Sequence, residues 1–472
     1  MKIIRALICI SLSIIGINTN FLRYLQMSTN SCSYTDYTAT STNTDLSNQI
    51  ISNSISDQSV VYITTTGITI SSSTLTKESG DSSNTENSEF CGINAAVLVQ
   101  GGKVTITDGQ INTNAKGANA LCVTKNGEVT ITGTSITSTG ESSARGLHAT
   151  YGGKITATNV AISSTGGSCA TLATDRGEGT VYCTGCTLST AGAGSPLIYS
   201  TGEITVSDTT GTSTGAQAVV VEGKNTATVS GNSYLKCNGI GNRGDVDKCG
   251  VMLYQSMSGD ADSGTSTFNC QNSKIEILSG SSVYSSTPMF FITNTDAIIN
   301  LDTCNLIYGS NIFLSAAGTS QWGSSGTNGG VVTLNLKNQN IEGNFVVDAN
   351  SGLTINMEGS TIKGTINGGK TAAKIAIVLD STSSIELTGN SYYTSLTNNG
   401  GNIITTNYEW EQVEEKEISR PSGGQGGPNG SGPGKNEGGP NGSGSGKNES
   451  QDNESKINYV KISFLLLILL LL

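Results

Sequence analysis

Between Val104 and Ala227 one pattern returns every 23 to 26 residues: an apolar residue, any residue, a second apolar residue, and a third apolar residue seven positions after the first. Val104/Ile106/Ile111, Val129/Ile131/Ile136 and Ile155/Ala157/Ile162 carry it, and Val181/Cys183/Leu188, Ile204/Val206/Gly211 and Ala227/Val229/Tyr234 continue it. An earlier copy stands at Ile68/Ile70/Leu75. Later copies, spaced 21 to 41 residues apart, stand at Phe268/Cys270/Ile275, Ile299/Leu301/Leu306, Leu334/Leu336/Ile341, Ile355/Met357/Ile362 and Ile385/Leu387/Tyr392. A step of two marks a strand with one face inward. The gap before the third apolar residue holds a tight corner, as in DGQ, TGTS and TNVA, and a further strand precedes each unit, as in NAAVLVQ, NALCVTK and GLHATYG. Three short strands and three corners in about 25 residues make one rung of a solenoid. A single rung cannot bury its inward residues, whereas stacked rungs bury a continuous column. The expectation is an all-β parallel β-helix over residues 30–412. About twelve rungs would give a rod about 55–60 Å long. An array of β-sandwiches would instead need hairpin turns between equal strands.

Composition agrees with stacking. Glycine is abundant, at 60 of 472 residues, and only 13% of residues are charged. Gly and Asn relieve corners, while Thr and Ser face water from strands without the repulsion that like charges one rung apart would feel. The formal net charge is −11 and no basic cluster is present, so a nucleic-acid partner is not expected.

Both ends carry signals of another kind. Residues 1–19 pair Lys2 and Arg5 with a short apolar run, the layout of a secretory signal peptide. Residues 413–453 form a flexible stalk rich in Gly, Ser, Pro and Asn, in which GGPNGSGPGKNE and GGPNGSGSGKNE repeat in tandem. Residues 454–472 end in an apolar run too short for a standard membrane helix, the arrangement of a glycosylphosphatidylinositol (GPI) attachment signal. Asn453 is the candidate lipid attachment residue, with Asn448 and Ser450 as alternatives. Asn429, Asn441 and Asn448 are glycosylation acceptors in the stalk. The expected location is the outer face of the plasma membrane, lipid-anchored, or the secreted fraction.

RGLHATYGGKITATNVAISSTGGSCATLATDRGEGTVYCTG (residues 145–185), with SPLIYSTGEITVSD, QWGSSGTNGG and LTGNSYYTSL, resembles the adhesin-like, pectin-lyase-type right-handed β-helix surface proteins. The resemblance covers roughly residues 90 to 400 and implies a right-handed coil. The GPI-like tail departs from the bacterial pattern of that group.

No catalytic constellation stands out, and the chain is read as non-enzymatic. Glycoside hydrolysis needs two facing carboxylates, and no DD pair or Asp-rich strand is present. Arg145, Arg176 and Arg243 are isolated, and His148 reads as a satisfied histidine rather than a base. Asp260 and Asp262 in SGDADSG are weak candidates for calcium, the one cofactor considered. Cys183 and Cys186 form a CxxC, Cys237 and Cys249 flank a Gly-rich insertion, and both pairs are disulfide candidates, though Cys183 also suits a core position. Trp322 is either a loop anchor or a sugar-stacking ring. The functional expectation is an adhesin that binds a carbohydrate or extracellular-matrix ligand through a rigid rod. The alternatives are a polysaccharide lyase or glycoside hydrolase of the same fold, and a structural coat protein. The tail makes one prediction: phosphatidylinositol-specific phospholipase C releases the protein from intact cells, and retention on treated cells would contradict the lipid anchor.

Overall fold

The computed structural model describes residues 37–419. The signal peptide, most of the stalk, Asn429, Asn441, Asn448, Ser450 and Asn453 lie outside them. The strands run from Ala39–Thr42 to Trp410–Gln412 and pair in parallel throughout. Three long sheets result. The first has 12 strands and the second has 14. The third face is divided into 10 strands followed by 4, and a separate two-stranded sheet lies near the end. This is the parallel β-helix, and its 14-stranded sheet at ordinary strand spacing spans roughly 60 Å.

Register is what makes the rungs equivalent. Val104, Val129, Ile155, Val181, Ile204 and Ala227 pair one above the other on the second sheet. All six are buried in one continuous core with Ile111, Ile136, Ile162 and Leu188 from the third sheet. Two sequence-based positions shift. Leu235, not Tyr234, occupies the inward site above Gly211. The corner there, residues 231–233, holds one more residue than its neighbours. Ile385 and Leu387 belong to the third face, paired with Ile362 and Gly364, and the second sheet continues instead through Ile375 and Ile377.

The corner from the second to the third sheet is usually two residues long. Its first residue has a left-handed backbone in rung after rung: Asp108 (φ 53°), Gly133 (60°), Asn159 (53°), Gly185 (67°), Asp208 (50°) and Asn272 (48°). Asn, Asp and Gly are the residues that tolerate this conformation. The residue after it points inward, and where it is Thr134, Thr209, Ser273 or Ser360 its hydroxyl donates to a carbonyl two residues back.

On the outer face of the second sheet Asn269 donates to Thr228 (3.1 Å), Asn300 to Asn269 (2.8 Å), Asn335 to Asn300 (2.7 Å) and Asn356 to Asn335 (2.8 Å). Inside, Phe268, Phe290, Phe313 and Phe345 form an aromatic column with ring centroids 5.2–5.9 Å apart.

The corner that leads back toward the first sheet is closed by a glycine column. A Cβ on Gly166 would lie 1.8 Å from the carbonyl oxygen of Gly140, and one on Gly192 would lie 1.8 Å from that of Gly166. Neither backbone atom can yield without separating rungs. Gly166→Ala is therefore expected to cost about 3 kcal/mol or more. The neighbouring Gly167→Ala, whose Cβ meets only Ala193 O at 3.5 Å, should be nearly neutral. Urea unfolding of the two variants checks the difference.

Candidate functional site

The long insertions flank the first sheet. Residues 78–96, including the short helix Thr85–Cys91, enter the strand Val97–Gln100. Residues 238–250 enter Val251–Tyr254, and 255–264 leave it. Residues 317–330 leave Ile312–Ala316. These segments fold back over the outward side chains of that sheet, which elsewhere would face water. His148, Val220, Met252 and Phe291 are accordingly buried although they alternate with the core residues.

A cavity of about 310 Å³ opens among them. That is near the lower bound of small-molecule clefts, ~300–1,000 Å³. Its floor comes from the first sheet, where outward strand positions supply Tyr199, Glu222 and Tyr254, and Asp175 follows directly on Leu172–Thr174. Its walls come from the insertions: Glu89, Arg243, Asp247, Ser256, Asp260 and Trp322.

Most of the charge here is internally matched. Arg145, nearly buried, places Nη1 2.6 Å from Asp175 Oδ2 and Nη2 4.0 Å from Glu89 Oε1. Arg176 donates to Asp260 Oδ1 at 2.7 Å and lies over the Phe90 ring. Asp247 accepts from the backbone N–H groups of Asn242 (3.0 Å) and Arg243 (2.9 Å). Arg243 also stands over Trp322, which packs edge-on against Tyr254 with centroids 5.1 Å apart.

Glu222 is different. It is 1% exposed, and its carboxylate accepts from three hydroxyls. Tyr199 Oη lies 2.6 Å and Tyr254 Oη 2.7 Å from Oε2, and Ser256 Oγ donates to Oε1. No cation among the described residues pairs with it. Burial, reinforced by the nearby charge of Asp260, pushes its pKa up to about 7 against the pull of the three donors. Burial also raises Glu89 and Asp260.

The residues singled out in the sequence fall as follows. His148 lies beneath the helix, where its Nε2–H donates to the Glu89 carbonyl at 2.6 Å and Nδ1 faces Arg145 at 3.4 Å. Burial and the Arg145 charge lower its pKa to about 3, so it stays neutral. Asp260 and Asp262 diverge, the first to Arg176 and the second to Lys224 at 3.1 Å, so they do not converge on a common ion. Trp322 is a buried loop anchor whose edge lines the cavity.

Cys183 and Cys186 are disulfide-bonded, and a second bond links Cys270 to Cys304. Cys237 and Cys249 are free thiols, contrary to the pairing expected across the insertion. Cys237 points into the central core, while Cys249 packs outside the wall with Val220, Met252, Phe291 and Trp322. Arg145 and Arg243, isolated in sequence, both line the cavity, and Arg176 joins them through its pair with Asp260. Sequence reasoning missed Glu89, Asp175, Tyr199, Glu222 and Tyr254. A signal for three of them exists: aligned on their inward residues, VLVQ, LCVT, LHAT, LATD, VVVE and VMLY place Asp175, Glu222 and Tyr254 in the fourth column, where the other strands carry Gln or Thr.

A wider concavity of about 540 Å³ lies over the asparagine ladder, where the amides already bond one another. No protein family, curated protein or solved structure matches this chain.

Glu222 sets a pH dependence. Its folded pKa of about 7 exceeds the ordinary 4.5, so the folded state holds the proton more tightly. That stabilisation is complete below about pH 4.5 and lost as pH rises through about 7. Relative to Glu222→Gln, the wild type should lose about 3 kcal/mol between those limits, measurable by urea unfolding at pH 4.5 and 8. Parallel pH curves would place Glu222 in a polar environment instead.

Proposed function

We propose that the protein is a cell-surface, adhesin-like molecule that binds glycan, and that the cavity on the first sheet is its binding site. One observation carries this reading: aromatic rings and fixed hydrogen-bonding groups converge in a cavity built by insertions that the solenoid itself does not need. Trp322 and Tyr254 offer ring surface, and the charged groups are held in place by Arg145 and Arg176. Sugars are recognised by such a combination of apolar ring faces and oriented polar groups. The expected secretory signal, stalk and lipid anchor would hold the rod outward from the membrane, with the carbohydrate or matrix ligand as partner.

A second reading, glycoside hydrolysis, is favoured by Glu222. A buried carboxyl group titrating at about 7 is suited to donate a proton to a leaving oxygen. Asp175 and Asp260 supply further carboxyl groups in the same cavity. Retaining and inverting hydrolysis both need such a partner.

The purified protein is expected to be retained on immobilised glycans. Arg243→Ala should weaken retention by roughly 5–30-fold, because this exposed side chain covers Trp322 without supporting the core. Lys337→Ala on the second sheet should change nothing. Equal loss in both variants, or in neither, would remove the cavity from the proposal. New reducing ends in the same tubes would select hydrolysis, and silence in both assays would leave a structural coat.

A further inference from the structure

The charges around the cavity are not balanced. Five carboxylates line it, from Glu89, Asp175, Glu222, Asp247 and Asp260, with guanidiniums from Arg145 and Arg243. Arg176 adds a third cation through its pair with Asp260. Five against three leaves an excess of two negative charges when all are ionised. Arg145 and Arg176 are committed to internal carboxylates, although among the described residues Arg176 Nε keeps no partner, and Arg243 lies over Trp322 without a carboxylate of its own. Two carboxylates have neutral donors only: Asp247, held by the backbone N–H groups of Asn242 and Arg243, and Glu222, whose three donors are side-chain hydroxyls.

A carboxylate has about four acceptor positions. Three hydroxyls take two on Oε2 and one on Oε1, leaving one position on Oε1 of a side chain that lines the cavity. The rings of Tyr199, Tyr254 and Trp322 stand around the same space. Aromatic faces attract ammonium groups. Beside Glu222 and Asp260 a further carboxylate or sulfate would meet repulsion. A divalent ion would want six or more oxygens, and among the described residues no group of three ligating side chains is assembled to hold one.

Resting on the glycan reading above, we infer that the cavity selects saccharides carrying a free amine, with the ammonium of an amino-sugar unit seated on Glu222. The cationic nitrogen supplies the countercharge that the fold omits, and the sugar ring lies against the tyrosine and tryptophan edges. Acetylating the amine removes the charge and adds bulk, so the N-acetylated sugar is the poorer ligand. A uronate carboxylate is disfavoured at Glu222 by charge.

The pH response follows from the groups around Glu222. Tyr199 and Tyr254 stay protonated because burial raises both well above the ordinary range. Asp260 faces Glu222 from the 255–264 insertion, and Asp175 with Arg145 lies beyond Tyr199, with Glu89 above Arg145 from the helix. Binding weakens at acid pH as Glu222 takes a proton and at alkaline pH as the sugar amine loses one.

The test is calorimetric titration of the full-length purified protein with four tetramers: glucosamine, N-acetylglucosamine, galacturonate and lysine. At neutral pH the glucosamine tetramer should bind at least about tenfold more tightly than the acetylated one. Its affinity should be bell-shaped in pH, while that of the acetylated tetramer stays flat. Glu222→Gln should abolish the preference. The wild-type pH profile stands as evidence even if that variant fails to fold. If the acetylated or uronate tetramer binds as tightly as glucosamine, the amine inference falls and the glycan reading survives. If tetralysine matches glucosamine, the site reads a cation and not a sugar. If no saccharide binds, both fall.

Discussion

Each strand residue of the described coil sits on its equivalent one rung away, hydrogen-bonded in parallel register, and the rest of that structure follows from the stacking. A property placed on one strand is met by the same position above and below. Inward, this multiplies apolar contact into a column that no single rung could bury. Outward, it multiplies repulsion, which is why Thr, Ser and Asn dominate and charge is sparse. The asparagine ladder shows the favourable side: each amide has one donor and one acceptor group, and stacking pairs them along the axis. The corners obey the same rule. A left-handed residue in one rung requires a left-handed residue in the next, so Asp108, Gly133, Asn159 and Gly185 succeed one another.

The cavity exists where stacking is relieved. Insertions at the second-to-third corner would separate adjacent strands from their partners, whereas segments added at the borders of the first sheet can leave the wall and fold over it. The first sheet is therefore buried on both sides, with the core behind it and Val220, Met252 and Phe291 in front beside the polar floor of the cavity. Burying ions under such a cover is costly unless they are paired. Arg145 answers that cost by serving Asp175 and Glu89 together, and its loss would leave two carboxylates in a dry site. Glu222 is relieved by hydroxyl donors and by keeping its proton near neutrality, so its charge responds to whatever enters.

How much of this was legible in the sequence divides along the same line. The repeat was, because Val129/Ile131/Ile136 and its neighbours expose both the step of two and the corner. Errors arose where rung length changed: the extra residue before Leu235 moved the inward position by one, and the short rungs after Ile355 put Ile385 on the wrong face. The Cys237–Cys249 expectation failed because closeness along the chain does not tell which side of a wall a side chain occupies. The cavity was not legible as a unit. Glu89 and Trp322 are separated by 233 positions in the chain, and only the register of the intervening rungs, with the insertions between them, sets them on one face. The fourth column of the first-sheet strands was readable in principle, but only after their inward residues had been aligned.

The glycine column at the return corner has a consequence for how such a chain can change over evolutionary time. Since each glycine makes room for the backbone of the rung beside it, a rung is accommodated by its neighbours as a whole and not residue by residue. Duplicating or deleting one complete turn keeps every interface of the type already present, so the length of the rod can drift freely. A partial turn would set side chains against backbone and the outer face against the core. Reach and recognition are thus inherited separately: whole turns beyond the 317–330 insertion can serve as interchangeable spacers, while the turns from Glu89 to Trp322 form a block whose spacing cannot change without breaking apart the cavity they build.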